Sequence, residues 1–359
     1  MKNQFSGVYK NKTVLITGHT GFKGSWLAIW LKELGANVIG YALEPYTQMD
    51  NFVLSKVEKK ITHIIGDIRD FKKLKNVFGE YQPEFVFHLA AQPIVRESYL
   101  NPKDTYDINV SGTVNVLECC RITDSVKVII NITSDKCYEN REWIWGYREN
   151  DSMGGYDPYS SSKGCSELVT AAYRKSFFNP EKYNKHGKSL SSVRAGNVIG
   201  GGDWQKDRLI PDCIRALEKN KPIEIRNPNA TRPWQHVLEP LSGYLLLASK
   251  MFNEPIKYCG AWNFGPNYES VISVGEVVST IVKKWGEGKW IDKSNKNELH
   301  EANLLSLDVS KAKKMLGWKP KWDIQKCIEK TLEWYILSSG KNIENICNNQ
   351  INLFTNNIK

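Results

Sequence analysis

Short apolar runs alternate with longer amphipathic stretches through the first half of the chain. The runs are rich in β-branched residues and bounded by Gly, Asp or Pro, a pattern typical of buried strands. It predicts strands over residues 12–17, 37–41, 62–65, 83–90, 125–133 and 188–194. Apolar residues at helical spacing predict helices over 26–34, 74–78, 105–120 and 158–178. Strands that alternate with helices form a parallel sheet with right-handed crossovers and helices on both faces.

The pattern changes from about residue 200 onwards. Gly, Pro, Trp and charged residues mix with shorter elements, although 238–252 predicts one clear helix. We therefore predict an α/β protein with a Rossmann-type doubly wound parallel sheet and a smaller α/β C-terminal lobe. The first domain is assigned to 1–196 and the second mainly to 197–345, and the chain is expected to return to the first around 235–265. The last ~20 residues, rich in Asn and Lys, are expected to fray.

The composition places the chain among folded globular proteins. Of its 359 residues, 41% are hydrophobic and 25% are charged, which excludes a mostly disordered chain or a coiled coil. Its apolar runs fall far short of the ~20 residues that span a bilayer, and the N-terminus lacks the apolar core of a signal peptide. The chain is therefore expected to be a soluble cytoplasmic protein with no membrane partner.

The net positive charge of the chain does not identify a binding partner. Lys and Arg number 49 against 39 Asp and Glu, so the formal net charge is +10. Such a charge attracts nucleic acids, anionic membranes and phosphorylated small molecules alike, and a biased genome composition explains it equally well. No run of five basic residues occurs, which argues against a nucleic-acid partner. The eight cysteines form no CxxC pair, so neither a disulfide nor a metal site is expected.

A glycine-rich turn joins the first predicted strand to the first predicted helix. Its glycines would let the backbone turn tightly and approach a pyrophosphate, while the helix N-terminus would supply free N–H groups. An ordinary strand-to-helix turn is the alternative, but the position at the first βα junction favours a dinucleotide. The turn residues assigned to the cofactor are Gly18, His19, Gly21, Phe22, Lys23 and Gly24.

Residues at the ends of three further strands give information about the cofactor and where it would bind. The second strand ends in GYALE (40–44), without the early acidic residue that usually binds the ribose or an Arg for a 2′-phosphate, so it favours NAD over NADP only slightly. Residues after the third strand are expected to cradle the adenine, and those after the fourth to line the nicotinamide ribose. These residues are Asp67 and Ile68, then Ala90, Ala91 and Gln92.

A tyrosine and a lysine four residues apart form the candidate reactive pair. Tyr159 and Lys163 share one face at the start of a helix, and the preceding Asp-Pro is typical of a helix N-terminus. The equally spaced Tyr99 and Lys103 are separated by Asn-Pro, which breaks a helix, so we interpret that second pair as unrelated.

The fifth strand ends at Ser134-Asp135-Lys136, next to where the reactive helix begins. Carboxyl ends of parallel strands line the ligand crevice, so these side chains can converge with Tyr159 and Lys163 on a nicotinamide. A nearby ammonium lowers the pKa of a phenol, and the phenolate can remove a sugar hydroxyl proton while a hydride leaves for the cofactor. A pair of surface side chains on one helix is the alternative interpretation.

Several long stretches together resemble the extended short-chain dehydrogenase/reductase family. Between residue 18 and about residue 266 they are GHTGFKGSWLA, HLAAQP, TSDKCYEN, GGYDPYSSSKGCSELV, RAGNVIGGGDW, DRLIPD, TRPWQHVLEPLSGYL and WNFGP. Within that family they are most similar to the CDP-glucose 4,6-dehydratases. The resemblance implies an NAD-bound hydro-lyase that converts CDP-glucose to CDP-4-dehydro-6-deoxyglucose, a type of deoxysugar that usually enters bacterial lipopolysaccharide or capsule.

The resemblance also implies a role for each reactive residue. Tyr159 takes the proton from the sugar O4, Ser134 shares its hydrogen bond, and Lys163 assists the phenol. Asp135 is the candidate acid for the departing O6, and Lys136 is the candidate base at C5, where related dTDP-glucose dehydratases carry Glu. Epimerases lack this acid–base pair, which argues for dehydration. A phosphate or structural contact is the alternative role for Lys136.

The implied substrate carries a diphosphate, which arginines bind bidentately. Residues that match family positions in the crevice between the lobes are Asn197, Arg208, Arg232, Trp234 and His236. The alternative functions are a 4,6-dehydratase or an epimerase acting on a GDP-, dTDP- or UDP-linked sugar, and a catalytically silent cofactor-binding protein.

A homodimer is expected from the same resemblance, because relatives pair the helices predicted over 105–120 and 158–178 across a two-fold axis. A higher homo-oligomer and burial within one chain are the alternatives. The apolar positions assigned to the interface are Val114, Leu117, Leu168, Ala172 and Phe177.

Overall fold

The computed structural model describes residues 4–294 and 304–356. The strands within these ranges are β1 (Thr13–Thr17), β2 (Asn37–Ala42), β3 (Thr62–Ile65), β4 (Phe85–His88), β5 (Val128–Ile132), β6 (Ser189–Ala195), β7 (Val198–Ile199), β8 (Ile223–Ile225), β9 (Thr231–Pro233), β10 (Gln235–His236), β11 (Gly260–Phe264), β12 (Val271–Ser273) and β13 (Trp290–Asp292).

The α-helices in the same ranges alternate with these strands through the first half of the chain. They are α1 (Phe22–Glu33), α2 (Asn51–Leu54), α3 (Phe71–Tyr81), α4 (Val95–Leu100), α5 (Pro102–Tyr106), α6 (Gly112–Ile122), α7 (Pro158–Ser176), α8 (Tyr183–His186), α9 (Leu209–Leu217), α10 (Leu238–Asn253), α11 (Val274–Trp285), α12 (Ile324–Leu337) and α13 (Ile343–Asn356). None of these helices is both long enough and apolar enough to cross a membrane.

One parallel sheet of seven strands forms the centre of the molecule, in the order β11-β6-β5-β4-β1-β2-β3. The register places Thr17 of β1 beside Tyr41 of β2 and His88 of β4, so the carboxyl ends of these strands are level. Strands β1 to β6 lie in the order 3-2-1-4-5-6 of a doubly wound Rossmann sheet, and β11 is added beyond β6, which confirms the predicted fold class. The predicted strands and helices are confirmed, with ends that shift by a few residues.

Both faces of the sheet are buried, as its uninterrupted apolar strands require. Val14 and Ile16 of β1 point into a large core that includes Trp26 and Trp30 of α1. Leu15 between them points into a second core under α3 and α6. Side-chain alternation along a strand therefore supplies both cores from one run of residues.

The second lobe contains short two-stranded sheets, β8 with β13 and β9 with β12, together with α9 and α11. Between β9 and β12 the chain returns to the first lobe. Helix α10 packs against β5 and β6, and β11 extends the sheet beyond β6 in parallel register. Trp262 and Phe264 of β11 are fully buried in the large core, so the two lobes share one hydrophobic interior.

The predicted helix over 105–120 contains an irregular turn. Residues 107–111 adopt π-helical geometry between α5 and α6. The wider turn places Asn109 so that its side chain donates to the Ser162 hydroxyl of α7 and to the Gln92 carbonyl. This short segment therefore connects the reactive helix to the loop after β4, and such π-turns are frequent at functional sites.

The C-terminal segment does not fray between residues 343 and 356, so that prediction is wrong there. Helix α13 buries Ile346, Ile351 and Phe354, and the Phe354 ring packs edge-to-face against Trp30 of α1 at 6.0 Å. Asn and Lys dominate the composition of the segment, but its apolar residues follow helical spacing and form one continuous buried face.

Candidate active site

A cleft of about 1320 Å³ opens at the carboxyl ends of the central strands, between the sheet and the second lobe. Its walls come from the turn after β1, the loops after β2 to β6, the start of α7 and the segment from residue 196 to 234. Most of the residues predicted to bind the cofactor or substrate line this one cleft. No cluster of metal-ligating side chains occurs in the described part of the chain, and all eight cysteines are free thiols.

The glycine turn has the close packing that a dinucleotide loop needs. Gly18 has φ +78°, and a Cβ there would lie 2.7 Å from the Ala90 nitrogen. A Cβ on Gly24 would lie 2.1 Å from the Gly18 oxygen, so α1 can approach the turn only with glycine at this position. Gly21 caps α1 without any side-chain hydrogen bond, which leaves the first backbone N–H groups of the helix available to an anion.

His19 does not line the cleft, although it was assigned to the cofactor. Its ring is fully buried beneath the turn, against Gly40, where a Cβ would come within 2.3 Å of the imidazole. His19 Nε2 lies 2.6 Å from His63 Nδ1 on β3. Burial, and secondarily His63, lowers the pKa of His19 to about 3. His19 therefore supports the turn from below as a neutral imidazole.

The other predicted cofactor residues divide into two groups. Phe22, Lys23, Asp67, Ile68, Ala90 and Ala91 line the cleft. Gln92 does not, because its side chain donates to the Ile94 carbonyl at 3.1 Å and to the Thr105 hydroxyl at 2.9 Å. Gln92 therefore fixes the loop after β4 and leaves the cofactor contact to its neighbours.

Ser134, Asp135 and Lys136 all line the cleft immediately after β5. The Ser134 hydroxyl donates to Asp135 Oδ1 at 3.0 Å, and the Lys136 backbone N–H donates to the Ser134 oxygen at 3.2 Å. Asp135 is buried, and its Oδ2 has no hydrogen-bond partner among the described residues. Burial raises the pKa of Asp135, while Lys136 and the Ser134 hydroxyl partly offset this rise. The result is a carboxyl group with one oxygen unused by the protein.

Tyr159 and Lys163 face the same cleft from the first turns of α7, which Asp157 caps by accepting from the Ser160 N–H at 2.9 Å. Burial raises the pKa of Tyr159 to about 12, and a hydrogen bond with Ser134 only partly offsets it. Burial lowers the pKa of Lys163 to about 8, and its Nζ donates to the Ile132 carbonyl at 3.4 Å. The expected lowering of the phenol pKa by Lys163 is absent: burial sets the direction of the shift, and the groups that oppose it are Ser134 and Arg208.

A buried ion pair behind the reactive residues was missed by the sequence analysis. Glu167 lies one turn beyond Lys163 on α7 and accepts from Arg194 Nε at 2.9 Å and Nη2 at 2.8 Å. It also accepts from the Thr133 hydroxyl at 2.5 Å and the Ser192 hydroxyl at 2.7 Å. The carboxylate thus joins α7 to the ends of β5 and β6. The sequence feature that could have identified Glu167 is its spacing of four residues from Lys163.

Four of the five predicted substrate residues line the cleft, namely Asn197, Arg208, Arg232 and Trp234. Arg208 forms an ion pair of 2.7 Å with Asp203, an acidic residue that the sequence analysis did not single out. Lys23 faces the same region from α1, and burial together with Arg208 and Lys163 lowers its pKa to about 8. Lys23, Arg208 and Arg232 all line the cleft, and cationic groups of these kinds suit a diphosphate.

His236, the fifth predicted substrate residue, lies in the core behind the cleft wall. Its ring is fully buried between Trp26, at 5.9 Å between ring centroids, and Trp322, at 4.9 Å. Burial lowers the pKa of His236 to about 3. The structure gives it no direct path to a ligand in the cleft, so its place in the TRPWQHV stretch reflects packing.

Comparison with known protein families identifies the family of this chain. The family model described as GDP-mannose 4,6 dehydratase matches residues 15–331. The chain belongs to this family. Its membership confirms the resemblance to the extended short-chain dehydrogenases/reductases stated from the motifs.

Individual members of the GDP-mannose 4,6 dehydratase family and their structural relatives refine the comparison. The chain is 53% identical over 328 residues to the CDP-glucose 4,6-dehydratase of Salmonella typhimurium, which covers 91% of each chain. It is 25% identical to the human dTDP-D-glucose 4,6-dehydratase over 93% of each chain.

Solved structures show the same fold at low identity. An epimerase of Methanothermobacter thermautotrophicus has a TM-score of 0.78 at 24% identity, over 92% of this chain and 93% of that one. The dTDP-glucose 4,6-dehydratase of Bacillus anthracis, solved in complex with NAD, has a TM-score of 0.73 at 20% identity, over 90% of this chain and 96% of that one.

Proposed function

We propose that this protein is an NAD-dependent CDP-glucose 4,6-dehydratase. The observation that carries the proposal is the Asp135 carboxyl, buried beside Ser134 and Tyr159 with one oxygen unused, and followed directly by Lys136. An oxidoreductase or epimerase needs the phenol alone, whereas elimination of water needs an additional acid and base. The 53% identical relative named as a CDP-glucose 4,6-dehydratase supports the same reaction and the same nucleotide.

The residues of the cleft fit a dinucleotide. Gly24 leaves space that a Cβ would fill, and the N-terminus of α1 points its free N–H groups at the turn. Gly18, Gly21, Phe22 and Lys23 would hold the pyrophosphate, and Ala90 and Ala91 would border the nicotinamide ribose. NAD bound here would accept a hydride from the sugar C4 and later return it to C6.

The protein's own side chains would move three protons. Tyr159 Oη, hydrogen-bonded to Ser134, would take the proton of the sugar O4 as a phenolate, a form that the positive nicotinamide ring of bound NAD would favour against the effect of burial. The C4 ketone so formed acidifies C5, from which Lys136 Nζ removes a proton, and Lys136 returns a proton to C5 when hydride reaches C6. Asp135 donates its proton to O6, the C6–O6 bond breaks and water leaves. A carboxyl whose pKa is raised by burial is suited to this acid role.

Product mass tests the reaction and the nucleotide together. The purified enzyme is incubated with NAD and, separately, with CDP-, dTDP-, UDP- and GDP-linked glucose and with GDP-mannose. We expect only CDP-glucose to give a product lighter by one water. An unchanged mass with a new sugar configuration would indicate an epimerase, and turnover of another nucleotide sugar would refute the proposed specificity.

Two substitutions test the acid and the base. Asp135→Asn and Lys136→Met should still reduce NAD with CDP-glucose, seen as nicotinamide absorbance, yet lower release of dehydrated product by ~10²- to 10⁴-fold. Full turnover by both variants would remove the assignment of Asp135 and Lys136. Loss of NAD reduction itself would place these residues in the first step instead.

We also propose a homodimer that pairs α7 with its symmetry mate. Leu168 of α7 and Phe177, directly after its last residue, are 60% and 48% exposed, and Ala172 of α7 is also exposed. Val114 on α6 is half-buried, whereas Leu117 is fully buried in its own chain, so it is not available to an interface. The location in the cytoplasm and a role in lipopolysaccharide synthesis stay predictions from the resemblance.

A further inference from the structure

Part of one cleft wall comes from the segment 201–204, in which Asp203 binds an arginine that acts on the reactive phenol. Asp203 is buried, and its Oδ2 binds Arg208 Nη1 at 2.7 Å. Arg208 in turn acts electrostatically on Tyr159 and lines the same cleft. The direction of the Arg208 guanidinium therefore depends on where the backbone places Asp203.

Helix α12 holds this segment from behind. The Tyr335 hydroxyl donates to the Asp203 carbonyl at 2.6 Å, and the Trp204 ring packs edge-to-face on Tyr335 at 5.3 Å. Trp334 lies against Gly201, where a Cβ would come within 1.9 Å of the indole. Three of the four residues in the segment thus rest on two neighbouring aromatic side chains.

These two aromatic residues lie outside the part of the chain that the family model matches, which ends at residue 331. Trp334 is fixed by its own hydrogen bond to Asn51 Oδ1 at 3.1 Å, and Asn51 donates its backbone N–H to the Gly202 carbonyl. Asn51 therefore contacts both Trp334 and the 201–204 segment. These contacts connect the start of α2, the 201–204 segment and helix α12.

We propose that Tyr335 is a positioning residue for nucleotide-sugar binding, because it fixes the Asp203 backbone and thereby aims Arg208 at the substrate diphosphate. The inference rests on the proposed function only in the identity of the substrate. A shift of Asp203 away from Arg208 by ~1 Å would lengthen the 2.7 Å contact beyond hydrogen-bond distance, so the guanidinium would lose its fixed direction. Tyr335 does not line the cleft, so the effect of its hydroxyl must pass through the Asp203 backbone that the hydroxyl binds.

The test compares two chemically identical substitutions. Tyr335→Phe removes a buried hydroxyl that donates to a backbone carbonyl at 2.6 Å, and Tyr9→Phe removes another of the same length, from Tyr9 to Leu245, far from the cleft. Both should lower the melting temperature to a similar extent. Only Tyr335→Phe should raise the KM for CDP-glucose, by ~5- to 30-fold with kcat changed less than twofold, because it removes binding rather than chemistry.

A double-mutant cycle with Asp203→Asn separates this route from general loosening. If Tyr335 acts through Asp203, the double variant should bind CDP-glucose about as weakly as Asp203→Asn alone. Additive losses, an unchanged KM in Tyr335→Phe, or an equal rise in Tyr9→Phe would each overturn the inference. If the wild-type enzyme does not convert CDP-glucose, the proposed function fails, and the same cycle is then run on the Kd of the nucleotide sugar that the wild type binds.

Discussion

Replacing Glu167 by glutamine should destabilise the protein through a single buried charge. The Glu167 carboxylate and the Arg194 guanidinium are each only 4% exposed and lie 2.8 Å apart. Glutamine keeps the size of the side chain but removes its charge, and it puts an NH₂ group opposite Arg194 or the hydroxyl donors. Arg194 is then left charged, buried and without its counterion.

The expected loss of stability follows from the burial of the Glu167–Arg194 pair. Removal of one partner from a buried pair costs about 3–5 kcal/mol, since the remaining charge stays out of water. At ordinary unfolding entropies for a chain of 359 residues, this corresponds to a fall in melting temperature of ~4–7 °C. Arg194 and the hydroxyl donors hold the pKa of Glu167 below its usual range despite its burial. Its stabilisation is therefore fully present above pH ~4.5 and lost as pH falls through the lowered pKa.

Thermal unfolding at pH 7.5 and at mildly acidic pH measures the effect. The matched control is Glu118→Gln, which breaks a pair of 2.7 Å with Arg121 on the surface of α6 and should change stability by less than ~1 kcal/mol. The difference between wild type and Glu167→Gln should stay constant from pH 8 to pH 5 and shrink below pH ~4. A shift no larger than that of Glu118→Gln would refute the reasoning.

Three further predictions concern other parts of the molecule. Gly24→Ala should weaken NAD binding at least ~10-fold by calorimetry, because a Cβ there meets the Gly18 oxygen at 2.1 Å. The control Gly79→Ala has open space around it and should leave NAD binding unchanged, so equal Kd values for the two variants would contradict this prediction. Burial raises the pKa of Glu239 to about 7, so the folded state keeps its proton up to neutral pH and this site loses about 3 kcal/mol of stability as pH rises from 4.5 to 7. Glu239→Gln should remove that dependence in thermal unfolding, and an unchanged pH profile would show that Glu239 is not its source. Leu168→Asp should give a monomer by light scattering where the wild type is a dimer, and a dimeric variant would exclude an interface on α7.

The arrangement of the sheet could be predicted because each strand corresponds to a short contiguous stretch of the sequence. Runs such as residues 13–17 are short, β-branched and apolar on both faces, which only a covered parallel strand requires. The glycine turn and the Tyr159–Lys163 pair were predictable for a similar reason. Each depends on spacing within a few residues, and the sheet topology then brings the strand ends together.

Other features depend on contacts between distant residues, which spacing does not reveal. His19 and His236 sit inside motifs whose neighbours line the cleft, yet both rings point into the core because the chain turns there. The π-turn that places Asn109 has no distinct composition, and α13 was hidden by its many Asn residues. The pKa of Tyr159 depends on how much water the folded chain removes, which no sequence pattern reports.

The return of the chain to the sheet through α10 and β11 has a practical consequence for protein engineering. A gene fragment that stops at residue 196 would encode a sheet whose β6 edge is bare and whose face under α10 is uncovered, a combination that promotes aggregation. Chimeras that exchange the second lobe between relatives must therefore graft two separate stretches of chain and keep residues 238–264 with the recipient.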